Sequence, residues 1–408
     1  MIKDKLMYGQ NISSQHQLKG SLDITFTLSF FLIILLSGSV QLYDIRILAI
    51  INSALQLWLL FKVRFTVSKS LKPAILIFFV FLIYSIAITG LNNDLIYVFY
   101  RYYDFMAAFL LLNYFLIKKP NFNKTFYVVM LGLLVHGLLG FVLANLFLGF
   151  FYPIKEGDVI IYTLLGIFFA PEASTYLEIQ RSQSFFWEPG VYQIYLNVFL
   201  FYVCFCRQQI SIIPLILLGI ISTFSTTGLV IALFQIAILF YKKLKISLSG
   251  IIWFFIAIVT LVYFTQLTYS NVEDKIIGDG STGSIGSSLA RQFDTINGIQ
   301  VAFNNPLGIG FSPIKYQAIA EQNLYNVETL LNTNRGQTNG VVELLYTSGF
   351  IFWLVFIYYF LKQKVFLNKR WVFNIIFLLC MLTEPLVFSP FFFFFVISGM
   401  ANSRKLIL

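Results

Sequence analysis

From residue 24 onward the chain is a succession of apolar blocks near 20 residues long, joined by short polar links. A block of that length crosses about 30 Å of hydrocarbon as an α-helix, with every backbone N–H and C=O bonded inside the segment. Charged residues make up 11% of the chain, against about 25% in soluble domains. Hydrophobic residues reach 58% and mean hydropathy is +0.81. A soluble enzyme is excluded. The expected fold class is an all-α polytopic membrane protein of about twelve transmembrane helices, at 24–40, 45–61, 73–90, 100–117, 125–150, 190–206, 210–225, 227–241, 247–268, 339–361, 371–384 and 386–401. The domain organisation follows: a tail at 1–23, nine helices over 24–268 with a loop at 151–190, a large loop at 269–338, three helices over 339–401 and a tail at 402–408. Residues 1–23 are polar and lack the apolar core and small-residue cleavage site of a signal peptide.

Basic residues set the orientation. With the N-terminus cytoplasmic, the inner segments hold 20 of the 28 Lys and Arg, and every inner joint is short and basic. That is the positive-inside pattern, and it puts both termini in the cytoplasm. The formal charge of +10 therefore reports topology, and no nucleic-acid partner is expected. Cys204, Cys206 and Cys380 lie inside apolar runs with no ligand-spaced His or Asp nearby, so they read as small core residues and no metal site is expected.

Three outer segments are long enough to build something. Residues 91–104 carry Asp94, Arg101 and Asp104 among tyrosines, as an aromatic belt would. The segment 151–190 contains an apolar piece, Val159 to Ala170, too short to span and expected to lie at the interface or re-enter. The largest, 269–338, opens with the Gly/Ser-rich linker Gly278 to Ser288, continues as a helix from Leu289 to Phe303, and breaks at Asn305-Pro-Leu-Gly-Ile-Gly310.

The candidate site lies on that outer face. Arg181, in Arg181-Ser-Gln-Ser-Phe-Phe-Trp-Glu-Pro-Gly190, stands with Glu188 at the mouth of an apolar run. Arg291 and Arg335 come from the large loop, and Glu343 lies just inside the tenth span, where an unpaired carboxylate is costly. Arginine suits phosphate because its planar fork donates two parallel hydrogen bonds. For any one of them the alternative is a surface ion pair worth under about 1 kcal/mol. Ser225, in the tight hairpin Ser222 to Gly228, either caps the next helix or hydrogen-bonds a sugar. His136 reads as a helix-contact hydrogen bonder, and Glu384-Pro385 takes no assigned part. No nucleotide-binding loop, HExxH or GxSxG motif occurs.

The order of these motifs resembles the O-antigen polymerase and ligase superfamily over residues 150–360: Arg181 ahead of Phe-Trp-Glu188-Pro189-Gly190, the Ser225-Thr-Thr-Gly228 hairpin, Arg291 with Pro306-Leu-Gly-Ile-Gly310, and Asn339-Gly ahead of Glu343-Leu-Leu. The resemblance implies an integral glycosyltransferase of the bacterial inner membrane with a periplasmic active face. It implies an undecaprenyl-diphosphate-linked glycan as donor and acceptor, no cofactor, and a flippase and chain-length regulator as partners in the bilayer. Arg181 and Arg291 fall where the family's arginines hold the diphosphate. Glu188 or Glu343 then either assists the acceptor hydroxyl or orients an arginine, and Arg335, Glu343, Asn339 and Ser225 contact substrate. Family ligases carry a His at the entrance to the span after the large loop, and here that stretch is Gly336-Gln-Thr-Asn339. This favours polymerase over ligase. The competing class is a lipid-linked oligosaccharide flippase or ion-coupled carrier, which would place polar groups near the midplane in broken helices.

The topology is open to direct test. Reporter fusions after Lys243 and after Gly283 are expected to read cytoplasmic and periplasmic; the reverse at either position overturns the face assigned to the site.

Overall fold

The computed structural model describes residues 21–40, 45–91, 94–156, 159–171, 179–243, 287–320 and 339–402. Helices dominate: α1 Ile24–Leu36, α2 Ile45–Lys62, α3 Lys72–Thr89, α4 Leu95–Lys118, α5 Phe122–Leu146, α6 Pro189–Phe201, α7 Ile213–Ser222, α8 Thr226–Lys243, α9 Ser287–Asn304, α10 Pro313–Ala320, α11 Gly340–Leu361, α12 Arg370–Met381 and α13 Pro390–Met400. Their starts carry familiar signals. Asp23, Asn121 and Ser389 accept hydrogen bonds from the first-turn N–H groups of α1, α5 and α13, and proline opens α3, α6, α7 and α13.

Two helices form the axis of the bundle. Every residue of α6 and of α13 is buried, and the two meet through Tyr195 and Phe391, ring centroids 5.0 Å apart. Around them α13 lies against α1, α4 and α11, while α6 lies against α5, α7, α8 and α12. The outer helices turn apolar side chains outward at helical spacing: Ile50, Leu57 and Phe61 on α2, Leu76, Phe79 and Ile83 on α3. Such faces suit hydrocarbon rather than water. Among the described residues, five helical segments are long and apolar enough to cross a membrane: Lys69–Thr89, Leu95–Lys118, Phe122–Leu146, Pro189–Arg207 and Gly340–Leu361. The chain is a helical membrane protein.

With α6 buried all round, its polar side chains supply specific contacts inside the bundle. Asn197 Nδ2 donates to Gln193 Oε1 at 2.8 Å and to the Gly228 carbonyl at 3.1 Å, and Gln235 Nε2 donates to Asn197 Oδ1 at 3.0 Å. The ladder joins α6 to α8, as amides do where lipid offers no alternative partner. Gly228 permits the close approach, since a Cβ there would meet Gln193 at 3.0 Å.

The piece expected at the interface or re-entrant, 159–170, belongs to a three-stranded antiparallel sheet in the order β1 Tyr152–Glu156, β2 Val159–Leu164, β3 Phe168–Pro171. The all-α expectation therefore fails over 152–171. Val159-Ile-Ile-Tyr-Thr is β-branched and aromatic, the composition of a strand, and Leu165 and Gly166 turn the hairpin with φ of 56° and 67°. The expected span 247–268, most of the Gly/Ser linker and Arg335 lie outside the described residues.

The expected helix Leu289–Phe303 corresponds to α9, and its expected break begins after Asn304. The backbone then runs alongside α11, which is interrupted at Gly349 (φ 71°). The interruption frees carbonyls that a membrane helix must satisfy. The N–H of Ile309 bonds the Tyr346 carbonyl at 2.8 Å, that of Gly310 bonds Thr347 at 3.1 Å, and that of Phe350 returns to Pro306 at 3.0 Å. Gly308 and Gly349 touch backbone to backbone; a Cβ on Gly308 would come within 2.6 Å of the Gly349 nitrogen. This clasp fixes α9, and with it Arg291, against the start of α11.

Candidate functional site

The stretch ahead of α6 is pinned on both sides before it delivers its charged residues. Val40 N–H bonds the Phe185 carbonyl at 2.9 Å and Trp187 N–H bonds Gly38 at 3.2 Å, so the strand-like piece 185–187 lies against the end of α1. Gly38 has no side chain where the Trp187 ring passes; a Cβ would sit 2.6 Å from it. On the other side Ser182 N–H bonds the Ser222 carbonyl at 2.8 Å and Ser182 Oγ bonds Gly137 at 2.9 Å. Arg181 is half-buried, its Nε donating to the Thr223 carbonyl at 3.0 Å. Its guanidinium is therefore anchored by backbone at the end of α7.

Four charges converge at this end of the bundle. Arg291 Nη2 on α9 lies 3.7 Å from Glu188 Oε1 and 3.6 Å from Glu384 Oε1. Arg181 completes the group: the charges of Glu188, Glu384 and Arg291 all act on it, while burial lowers its pKa. Glu188 and Arg291 are partly open, with side chains 42% and 36% exposed, whereas Glu384 is 4% exposed. Glu384 sits in the joint between α12 and α13, and its carboxylate rests on the bare Cα of Gly190 in the first turn of α6. Its own carbonyl touches Gly340 at the start of α11, 2.8 Å from where a Cβ would be. Two helix N-termini, each carrying about half a positive charge, thus meet two guanidiniums.

The structure separates the sequence-derived candidates. Arg181, Arg291 and Glu188 come together. Glu343 does not join them: it pairs with Arg101, whose Nη2 is 3.8 Å away and whose guanidinium lies over the Phe388 ring at 5.5 Å. Asn339 caps α11 through Val342 N–H at 3.2 Å and donates to Thr295 Oγ1 at 3.3 Å, one turn from Arg291, so it ties α9 to α11. Ser225 Oγ accepts the Gly228 N–H at 3.2 Å and caps α8. His136 is clamped between the rings of Phe168 and Phe185, bonded to Ser184 Oγ at 2.9 Å. Sequence reasoning missed Glu384 and Arg101. The signal for Glu384 was a lone carboxylate before proline between two apolar runs; for Arg101, a cation outside the positive-inside pattern.

A scan against protein-family models, a search of curated proteins and a search of solved structures each return no match.

Burial, and after it the charge of Glu188, hold the Glu384 carboxyl well above its ordinary value of 4.5, against the pull of Arg291 and Arg181. Folding therefore takes up a proton there. The stability tied to this carboxyl is fully present below the ordinary value and is lost as pH rises through the raised one, by ~1.4 kcal/mol for each unit of displacement. The thermal midpoint of the purified protein is expected to fall as pH rises above about 4.5, and Glu384→Gln is expected to flatten that fall. An unchanged slope in the variant would contradict the assignment.

Proposed function

We propose that this chain is an integral-membrane polysaccharide polymerase, a glycosyltransferase that joins lipid-diphosphate-linked oligosaccharide repeat units into O-antigen or capsular and exopolysaccharide. It works on the periplasmic face of a bacterial inner membrane, with about twelve crossings and both termini cytoplasmic. One observation carries the reading: Arg181 and Arg291, 110 positions apart in the chain, converge with the first turns of α6 and α11 on one small volume, and Arg291 is held there by two carboxylates. A site of that kind fits a diphosphate. The order of motifs along 181–349 supports the same family of reactions.

The chemistry asks little else of the protein. A lipid diphosphate is a good leaving group, so the work is to position the acceptor hydroxyl and to neutralise the charge that grows on the departing oxygen. Donors fixed in a water-poor place do this at little reorganisation cost. Arg181 is suited to it because the Thr223 carbonyl already orients its Nε, and Arg291 because α9 is clasped to α11. The undecaprenyl tail would lie along the apolar helix faces, and a flippase and a chain-length regulator are the expected partners. The absence of His from Gly336-Gln-Thr-Asn339 argues for a polymerase rather than a ligase.

A carrier of lipid-linked oligosaccharide is the second reading, favoured by the interruption of α11 at Gly349 and by Asp104, a buried carboxylate on α4 that accepts from Asn52 at 3.2 Å. Broken helices and intramembrane carboxylates are features of transporters. Here, however, the break is filled by the chain's own 306–310 segment, and the clustered arginines stand outside the spans.

A bidentate guanidinium gives two aligned donors where an ammonium gives one point charge. Arg181→Lys and Arg291→Lys are each expected to cut polymerisation at least about tenfold, equivalent to ~1.4 kcal/mol of transition-state stabilisation. The readout is the chain-length ladder of surface polysaccharide, with membrane levels of each variant measured in parallel. Normal ladders from well-expressed alanine variants would remove the mechanism; surface polysaccharide that is scarce but of normal length distribution would favour the carrier.

A further inference from the structure

We propose that Glu384 is the general base of the transfer, a role that rests on the polymerase reading: its carboxylate takes the proton of the acceptor sugar hydroxyl while Arg181 and Arg291 hold the departing diphosphate. Its setting singles it out. The side chain is 4% exposed and 3.6 Å from Arg291, so it adjoins the diphosphate position yet is shielded from bulk water. It rests against Gly190, and any side chain there would occupy the carboxylate's own volume. The first turn of α6 and the joint between α12 and α13 are thereby shaped around this one group. Among the described residues, three other candidates are placed differently. Glu343 faces Arg101 at 3.8 Å, His136 is closed between two rings, and Glu188, 42% exposed, lies at the open rim.

The step balances as a direct transfer. The acceptor O–H bond breaks and its proton passes to a Glu384 oxygen. The oxygen's electron pair forms the new bond to the anomeric carbon of the donor. The bond from that carbon to the lipid diphosphate breaks, and its electron pair leaves on the diphosphate, neutralised by the two guanidiniums. The charges facing Glu384 couple these events. Arg291 on α9, and Arg181 and Glu188 ahead of α6, act on it, with the Cys380 thiol of α12 nearby; on α11 the first-turn carboxylate, Glu343, is paired with Arg101 instead. Without substrate Arg291 and Arg181 favour the carboxylate form of Glu384 against burial and Glu188, which favour the protonated one. When a diphosphate engages them, Glu384 loses that support and faces new negative charge, which makes it more basic as the acceptor hydroxyl must be deprotonated. The proton returns to solvent when the lipid diphosphate leaves.

The test uses full-length protein in membranes, supplied with lipid-linked repeat unit extracted from a host strain lacking the gene. Turnover is measured across pH for the wild type, Glu384→Gln, Glu384→Asp and Glu188→Gln. The wild type is expected to lose kcat toward acid pH as the base becomes protonated. Glu384→Gln is expected to lose that acid limb and about 100-fold or more in kcat, with donor KM changed by no more than about threefold. Glu384→Asp should retain a displaced limb, and Glu188→Gln should keep the limb whatever its rate. A Glu384→Gln enzyme that keeps the acid limb, or that loses activity through donor KM alone, overturns the role. Should that variant fail to accumulate, Glu384→Asp decides: an undisplaced limb overturns the proposal. A wild type that never turns over the lipid-linked repeat removes the polymerase reading itself and this role with it.

Discussion

An arginine held between two carboxylates at the end of a lipid-embedded bundle is the contact on which the rest of the site depends. Arg291 cannot reach Glu188 and Glu384 unless α9, α6 and the joint between α12 and α13 all stand in register. Taking charges out of water costs several kcal/mol per ion unless partners replace the lost hydration. Glu384, the most buried of the group, has that cost only partly offset by Arg291 and Arg181, and its carboxyl stays above its ordinary value. The pairing does more for geometry than for net stability, because Arg291 and Glu188 are over a third exposed and screened. Its consequence is that two guanidiniums and two carboxylates stand together at one end of the bundle.

The same requirement, that no polar group be left unsatisfied in hydrocarbon, shapes the backbone nearby. Gly349 interrupts α11, and Ile309 and Gly310 bond the carbonyls of Tyr346 and Thr347. Pro306-Leu-Gly-Ile-Gly310 is thus more than a helix breaker. Its glycines lie flat against a second backbone where side chains could not fit. The result is a rigid link from α9 to α11, reinforced by Asn339 on Thr295.

Much of the bundle was legible because hydrocarbon admits few solutions. The apolar blocks gave α3, α4, α5, α6 and α11 within a few residues, and the Pro/Gly punctuation marked the end of α9. Arg181, Arg291 and Glu188 were readable as charges out of place. Other features were not readable because they depend on contacts distant in sequence. Glu384 showed only as a carboxylate before proline between two apolar runs, and its place in the site emerges once Gly190 and Arg291 are brought to it. Glu343 looked like a partner for the same arginines, but Arg101 from α4 is nearer. The strands at 152–171 were misread because a short apolar run has the same hydropathy as strand or as helix, and the β-branched composition and the Leu165-Gly166 turn decided between them.

The central claim, that Arg181 and Arg291 together form a diphosphate site, is tested most directly by binding of the bare lipid. Undecaprenyl diphosphate carrying no sugar, titrated into purified protein in nanodiscs, is predicted to bind saturably. Replacing both arginines by glutamine is predicted to weaken that binding at least about a hundredfold, roughly 2.7 kcal/mol, while the undecaprenyl chain without phosphate binds both proteins alike. Equal affinity of the two proteins for the diphosphate would contradict the account.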